Sequence, residues 1–290
     1  MLNKLFVILQ YCLPKKLISR LVGTIAESEI VWLKNPLIRL FIDIFNVNMS
    51  EAEKPKAEDY KSFNDFFTRA LSPMARPITQ SDIISPVDGK ISAYGEISLG
   101  GLLQAKNQHF SLISLLAGDV DQCETFLDGN FMTIYLSPSD YHRIHMPIDA
   151  KLISTTYVPG ALFSVNQTTT DHVPGLFARN ERLICYFETQ QGPMAMILVG
   201  AMIVAAIDTV WAGQITPPPK TVQQHQYANQ SPIQLKKGDE MGRFKLGSTV
   251  MLLFPPKTVT FADHLASKNQ LRMGQPLASF KKHAHTSDEN

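Results

Sequence analysis

Apolar positions recur at helical spacing through the start of the chain. Leu2, Leu5, Phe6, Leu9 and Leu13 make one stripe, and Leu17, Ile18, Leu21 and Ile25 make a second after Pro14. They predict two helices within residues 1–45. A polar stretch runs from Asn48 to Tyr60. Ser62, with Asp65 three residues on, then reads as an N-cap for a helix whose inner face is Phe63, Phe66, Phe67 and Leu71. From Ile84 onward the pattern changes to short β-rich runs punctuated by Gly and Pro: Phe131–Leu136, Leu152–Val158, Arg182–Glu188, Met194–Ile207 and Val250–Phe254. The run MAMILVGAMIVAAI (Met194–Ile207) is apolar throughout, yet shorter than the ~20 residues that span a bilayer. It predicts two buried strands broken near Gly200. The expected fold is therefore α+β, a β-rich body with amphipathic N-terminal helices. Residues 1–47 are expected as the helical region, 48–276 as the main domain and 277–290 as a polar tail.

Composition narrows the classes. There are 27 basic and 26 acidic side chains, a net charge of +1, so no global field draws in nucleic acid. Cys12, Cys123 and Cys185 are odd in number and far apart. They offer no disulfide framework and no CxxC metal pair, which fits a reducing compartment with buried thiols. The opening MLNKLFVILQYCLPKK is interrupted by Gln10 and Pro14 and lacks a small-residue cleavage site, so a secretory leader is not expected. Lys4, Lys15, Lys16 and Arg20 face no acid in the first twenty residues. Basic groups beside an apolar stripe suit the boundary of an anionic membrane, and equally suit helices packed on the protein's own core.

Three local sequences carry candidate chemistry: SPVDG (Ser85–Gly89), YHRIHMP (Tyr141–Pro147) and GRFKLGST (Gly242–Thr249). Together they supply a carboxylate, two imidazoles and a hydroxyl. A hydroxyl is a poor nucleophile until a base takes its proton, and an imidazole oriented by a carboxylate does this whatever the chain order. Gly247 leaves the carbonyl before Ser248 open to close approach. Taken alone, these residues leave simpler readings open. Asp88-Gly89 is a natural turn pair, and Gly-Ser is often a turn. His142 and His145 have half the spacing of a zinc site but no further ligand at a convincing interval. The two histidines are three residues apart and bracketed by Pro138 and Pro147, so an irregular turn presenting both rings is expected.

The sequence GRFKLGSTV resembles the self-cleavage motif of phosphatidylserine decarboxylases. YLSPSDYHRIHMP (Tyr135–Pro147), VPGALFSVN (Val158–Asn166), LFARNERLICYFET (Leu176–Thr189), ILVGAMIVAAIDTVWAGQITPP (Ile197–Pro218), FNDFFTRAL (Phe63–Leu71) and SPVDG also resemble that family's bacterial members, in order along the chain. The resemblance implies self-cleavage between Gly247 and Ser248 into a large and a small chain, with Asp88, His145 and Ser248 as the processing triad. It implies that Ser248 becomes a pyruvoyl prosthetic group, an electron sink like pyridoxal phosphate, with no metal. His142 is the implied proton donor in converting phosphatidylserine to phosphatidylethanolamine. It further implies docking of residues 2–44 on a membrane surface, a place on the cytoplasmic face of the inner membrane, and a homodimer. The rival readings are a serine hydrolase using the same three residues and a non-catalytic lipid-binding protein.

Overall fold

The computed structural model describes residues 2–105, 108–202, 206–215, 220–227, 231–245 and 248–281. Three helices, not two, fill the first 45 residues: α1 (Leu2–Cys12), α2 (Lys15–Ala26) and α3 (Val31–Phe45). The third escaped the sequence pattern because Pro36 lies inside it, and an interior proline normally ends a helix. One face of α1 packs on the body. Val7 is buried with Phe163 and Phe177, Tyr11 meets Phe163 edge-on at 4.9 Å, and the Gln10 side-chain Oε1 accepts from the Ser164 N–H at 2.8 Å. Outward faces expose Phe6, Ile8 and Leu9 of α1, Leu17, Leu21 and Ile25 of α2, and Val31, Trp32, Leu40 and Ile44 of α3. One face of the region is thus packed on the body while apolar side chains of another are exposed.

The expected cap forms: Ser62 Oγ accepts from the Asp65 N–H at 3.2 Å, starting the short helix α4 (Phe63–Phe67). Phe63, Phe66 and Phe67 close around Phe41 of α3 at centroid separations of 5.1, 6.0 and 5.9 Å. This aromatic cluster ties the helical region to the body.

Among the described residues the body is built on a nine-stranded antiparallel sheet. Its centre runs Gly192–Gly200, Ser248–Phe254, Asn130–Leu136, Gly89–Glu96 and Gln270–Leu271, in that spatial order. Both faces are covered. Val250, Leu252 and Phe254 enter one core, while Met251 and Leu253 enter the other. Double burial is why these strands read as continuous apolar runs instead of alternating ones. A four-stranded sheet carries Ala206–Thr209, Glu240–Lys245 and Arg143–His145 side by side. Its order mirrors the large sheet: each of these three strands is joined directly to one of three neighbouring strands there. The seam between the sheets lies at the ends of these strands, where Ser248 begins the middle one of the three in the large sheet.

In a third sheet Pro276–Phe280 lies between Ile83–Ile84 and Val259–Phe261. Leu277 and Ala278 are buried there. The body thus extends past the point where a tail was expected to start, and residues 282–290 lie outside the described ones.

Candidate active site

Ser248 opens its strand opposite Gly200 on one side and Leu136 on the other. Its side chain is fully buried, and its Oγ has no hydrogen-bond partner among the described residues. Gly247, the other half of the expected cleavage site, lies outside the described residues. Asp88 immediately precedes the Gly89 strand, which pairs with the far side of the Asn130–Leu136 strand. Two strand spacings, roughly 10 Å, thus separate the Asp88 and Ser248 backbones. Gly89 is needed here, because a Cβ would stand 2.5 Å from the Tyr135 carbonyl oxygen.

Residues 137–142 cross the seam between these two positions. They are irregular, and Arg143–His145 then form a short strand, so the turn expected across both histidines ends before the second. The His142 carbonyl accepts from the Phe244 N–H at 3.0 Å, and the His145 N–H donates to the Pro86 carbonyl at 2.8 Å. All four expected residues therefore come to one end of the large sheet.

The hydrogen bonds assign the imidazole tautomers. His145 Nδ1 lies 2.7 Å from the Gly238 carbonyl oxygen and its Nε2 lies 2.9 Å from the Tyr141 hydroxyl. A carbonyl only accepts, so Nδ1 carries the proton and Nε2 accepts from Tyr141. His142 Nδ1 lies 2.8 Å from the Asp140 carbonyl oxygen, leaving Nε2 unprotonated. That nitrogen is buried and has no partner among the described residues.

Asp88 is engaged elsewhere than expected. Arg76 Nε donates to its carboxylate at 2.8 and 3.1 Å, Arg76 Nη2 pairs with it as well, and the Met273 N–H donates at 2.8 Å. The direct Asp88–His145 bond implied by the resemblance is not among these contacts. A charged guanidinium competes better for a carboxylate than a neutral ring N–H does. In this arrangement the Gly238 carbonyl orients His145, and Asp88 acts on it through space.

Burial sets the protonation states. Both rings are pushed below the ordinary imidazole range. For His142 burial is the main cause, Arg69 adds to it, and the value falls to about 3. For His145 burial again leads, opposed by the Gly238 bond and by the charges of Glu240 and Asp88. Both are neutral near pH 7, the form a base requires. Burial also lifts Tyr141 to about 12, so it stays a donor.

This arrangement predicts acid lability. The unfolded chain takes up protons on these rings as pH falls below ~6.5, while folded His142 resists until about 3. The unfolded state binds more protons across that window, so stability is full above it and falls with pH, by a few kcal/mol. Urea unfolding of the intact Ser248→Ala chain between about pH 4 and 7 should show this slope, and His142→Asn should flatten it. Equal slopes would contradict the buried neutral ring.

Tyr141 lies within a quoted motif but drew no role from it, and Arg76, Met273 and Gly238 gave no sequence signal. Arg76, Met273 and Gly238 meet partners 12, 185 and 93 residues away, whereas Tyr141 and His145 are four apart.

Comparison with known proteins shows the family. A family model described as phosphatidylserine decarboxylase matches residues 63–279, and a second, described as PSD, matches residues 5–46. The chain belongs to the phosphatidylserine decarboxylase family. It is 52% identical to the phosphatidylserine decarboxylase proenzyme of Ectopseudomonas mendocina, over 96% of this chain and 99% of the relative. Identity is 51% to that of Saccharophagus degradans, over 98% and 100%, and 48% to that of Hahella chejuensis, over 99% and 97%. All three relatives are named as proenzymes.

Proposed function

We propose that the chain is a self-processing proenzyme that converts phosphatidylserine to phosphatidylethanolamine with a pyruvoyl group made from Ser248. The observation that carries this reading is the buried Ser248 hydroxyl, without a partner among the described residues, with the neutral imidazoles of His142 and His145 brought to the same end of the large sheet. His145 takes the Ser248 proton, and the cation so formed is stabilised by the Asp88 and Glu240 charges. This requires Nε2 to exchange its Tyr141 contact for Ser248. The Ser248 oxygen attacks the Gly247 carbonyl and the peptide bond becomes an ester. Elimination across Ser248 releases Gly247 as a carboxylate, and hydrolysis of the remaining dehydroalanine expels ammonia. The resulting ketone supplies an electron sink for decarboxylation. His142, buried against Phe67 at 4.0 Å, takes up the proton shed by the substrate ammonium at its unprotonated Nε2 and returns it to the product carbon. The orphaned Nε2 of His142 favours a second reading, in which it rather than His145 activates Ser248. Purified protein should release carbon dioxide from phosphatidylserine vesicles, and release none when Ser248 is replaced.

No helix among the described residues is long and apolar enough to cross a membrane. The exposed faces of α1–α3, with Trp32 77% exposed, support peripheral docking on an anionic leaflet, the inner membrane's cytoplasmic face. A homodimer belongs to the same proposal, as does the split into a 1–47 helical region and a decarboxylase domain that begins at 48 and runs past 276 to include the Pro276–Phe280 strand. Each half-exposed Leu or Ile entering the acyl boundary contributes about 1 kcal/mol, similar to each basic side chain. Salt should therefore weaken vesicle binding only in part. Leu17→Ser, Leu21→Ser and Trp32→Ser combined should release the protein from anionic vesicles while self-cleavage continues. Undiminished pelleting would place the docking face elsewhere.

A further inference from the structure

Beside the seam lies a cavity of about 190 Å³, between the end of α3 and the 137–142 crossing. Arg69, Arg76 and Arg272 line it, with Glu51, Asp88 and Asp140. The acids are all engaged. Glu51 pairs with Arg76 at 2.9 Å and Arg272 at 3.0 Å, and Asp88 is held by Arg76 and the Met273 N–H. Asp140 accepts from the Ser137 N–H and hydroxyl, both at 2.7 Å, and from Gln270 at 3.2 Å.

Arg69 has no such match. It is 4% exposed, and its Nη2 donates only to the carbonyls of Ser139 and Asp140, at 3.0 and 3.4 Å. Its Nε and Nη1 are buried without partners among the described residues. A buried guanidinium lacking a bonded anion costs several kcal/mol, and an oxyanion ligand would offset that cost with charge-assisted hydrogen bonds.

We propose that Arg69 binds a phosphodiester oxyanion, that of an anionic lipid headgroup, in this cavity. The phosphodiester source rests on the proposed function. Asn46 and Asn48, which follow α3, also line the cavity, so its helical side faces the docking region from which the glycerol end of a lipid arrives. The substrate carboxylate sits on the reacting carbon and belongs beside Ser248, leaving the phosphodiester for Arg69. Arg69 is also the charge that, after burial, most suppresses protonation of His142. An anion on Arg69 relieves that suppression, so the proton donor is readied when the headgroup is in place.

The test uses the full-length Ser248→Ala chain, which cannot make the pyruvoyl group, titrated by calorimetry with glycerophosphoserine, glycerophosphoethanolamine, L-serine and inorganic phosphate. Both glycerol phosphodiesters should bind with similar affinity, and Arg69→Met should weaken each at least about tenfold, the loss expected for a charged hydrogen bond. Serine should show no binding that depends on Arg69. Arg69→Lys keeps the charge without the planar donors and should fall between, and it serves alone if the Met variant does not fold. Equal affinity in wild-type and variant backgrounds would overturn the site. Arg69-dependent binding of serine but not of glycerophosphoethanolamine would assign the site to the carboxylate instead, and binding of inorganic phosphate alone would exclude the headgroup. Binding that survives in a chain whose Ser248 parent makes no carbon dioxide would separate this site from the decarboxylase reading.

Discussion

His145→Ala should accumulate as an uncleaved chain, whereas His142→Ala should still cleave yet decarboxylate slowly. The division follows from position and from timing. His145 is tied to the SPVDG loop through the Pro86 carbonyl, and its ring feels the stabilising charges of Asp88 and Glu240. It is thus the better placed ring to hold a proton during attack on Gly247. Removing a general base costs about 10²–10⁴ in rate, enough to turn processing during expression into a persistent precursor. Asp88→Ala should slow cleavage less than His145→Ala, because Asp88 acts through space, and it also frees Arg76 to disturb the loop. His142 has its proposed duty only after the ketone exists, so its loss should lower turnover by a similar factor with both chains present. A gel and a product assay on the same preparations decide this. Cleavage by His145→Ala together with failure of His142→Ala would reverse the two rings and favour the second reading given by the orphaned His142 Nε2.

Replacing Ser248 should have the largest effect of all. Ser248→Ala has neither the nucleophile for self-cleavage nor the precursor of the ketone, so processing and decarboxylation should both vanish. The substitution removes one buried oxygen that has no partner among the described residues, and the fold should survive it, with thermal unfolding near that of an unprocessed parent. A serine hydrolase with the same three residues would also lose activity in this variant, but its parent would stay whole. A lipid-binding protein would be unaffected in either respect.

Most of the body was legible because double burial writes strands as apolar runs. Met194–Ile207 read as two strands broken near Gly200, and they form as Gly192–Gly200 and Ala206–Thr209. The α3 helix was missed because Pro36 argued locally against what the Phe41 cluster enforces through tertiary contacts. The four candidate residues were visible individually, but Asp88-Gly89 looks like an ordinary turn, and only the fold brings Asp88, His142, His145 and Ser248 to one end of the sheet. The partners of those residues were not legible. Arg76 on Asp88, Gly238 on His145 and the unmatched Arg69 follow from packing between separate segments and carry no local pattern, whereas Tyr141 stands four residues before His145 and its contact is local. The resemblance supplied a carboxylate bonded to His145; the structure instead gives that carboxylate to Arg76, where a charged donor outcompetes a neutral one.

The central claim is that the chain consumes its own Ser248, and the intact masses of the purified wild-type protein test it most directly. A cut after Gly247 yields a large chain of residues 1–247 and a small chain of 43 residues. The small chain should weigh one ammonia less than the unmodified 248–290 peptide and should resist amino-terminal sequencing, because a pyruvoyl end has no amine. A single full-length mass with an unmodified serine, in protein that converts phosphatidylserine to phosphatidylethanolamine, would contradict the account.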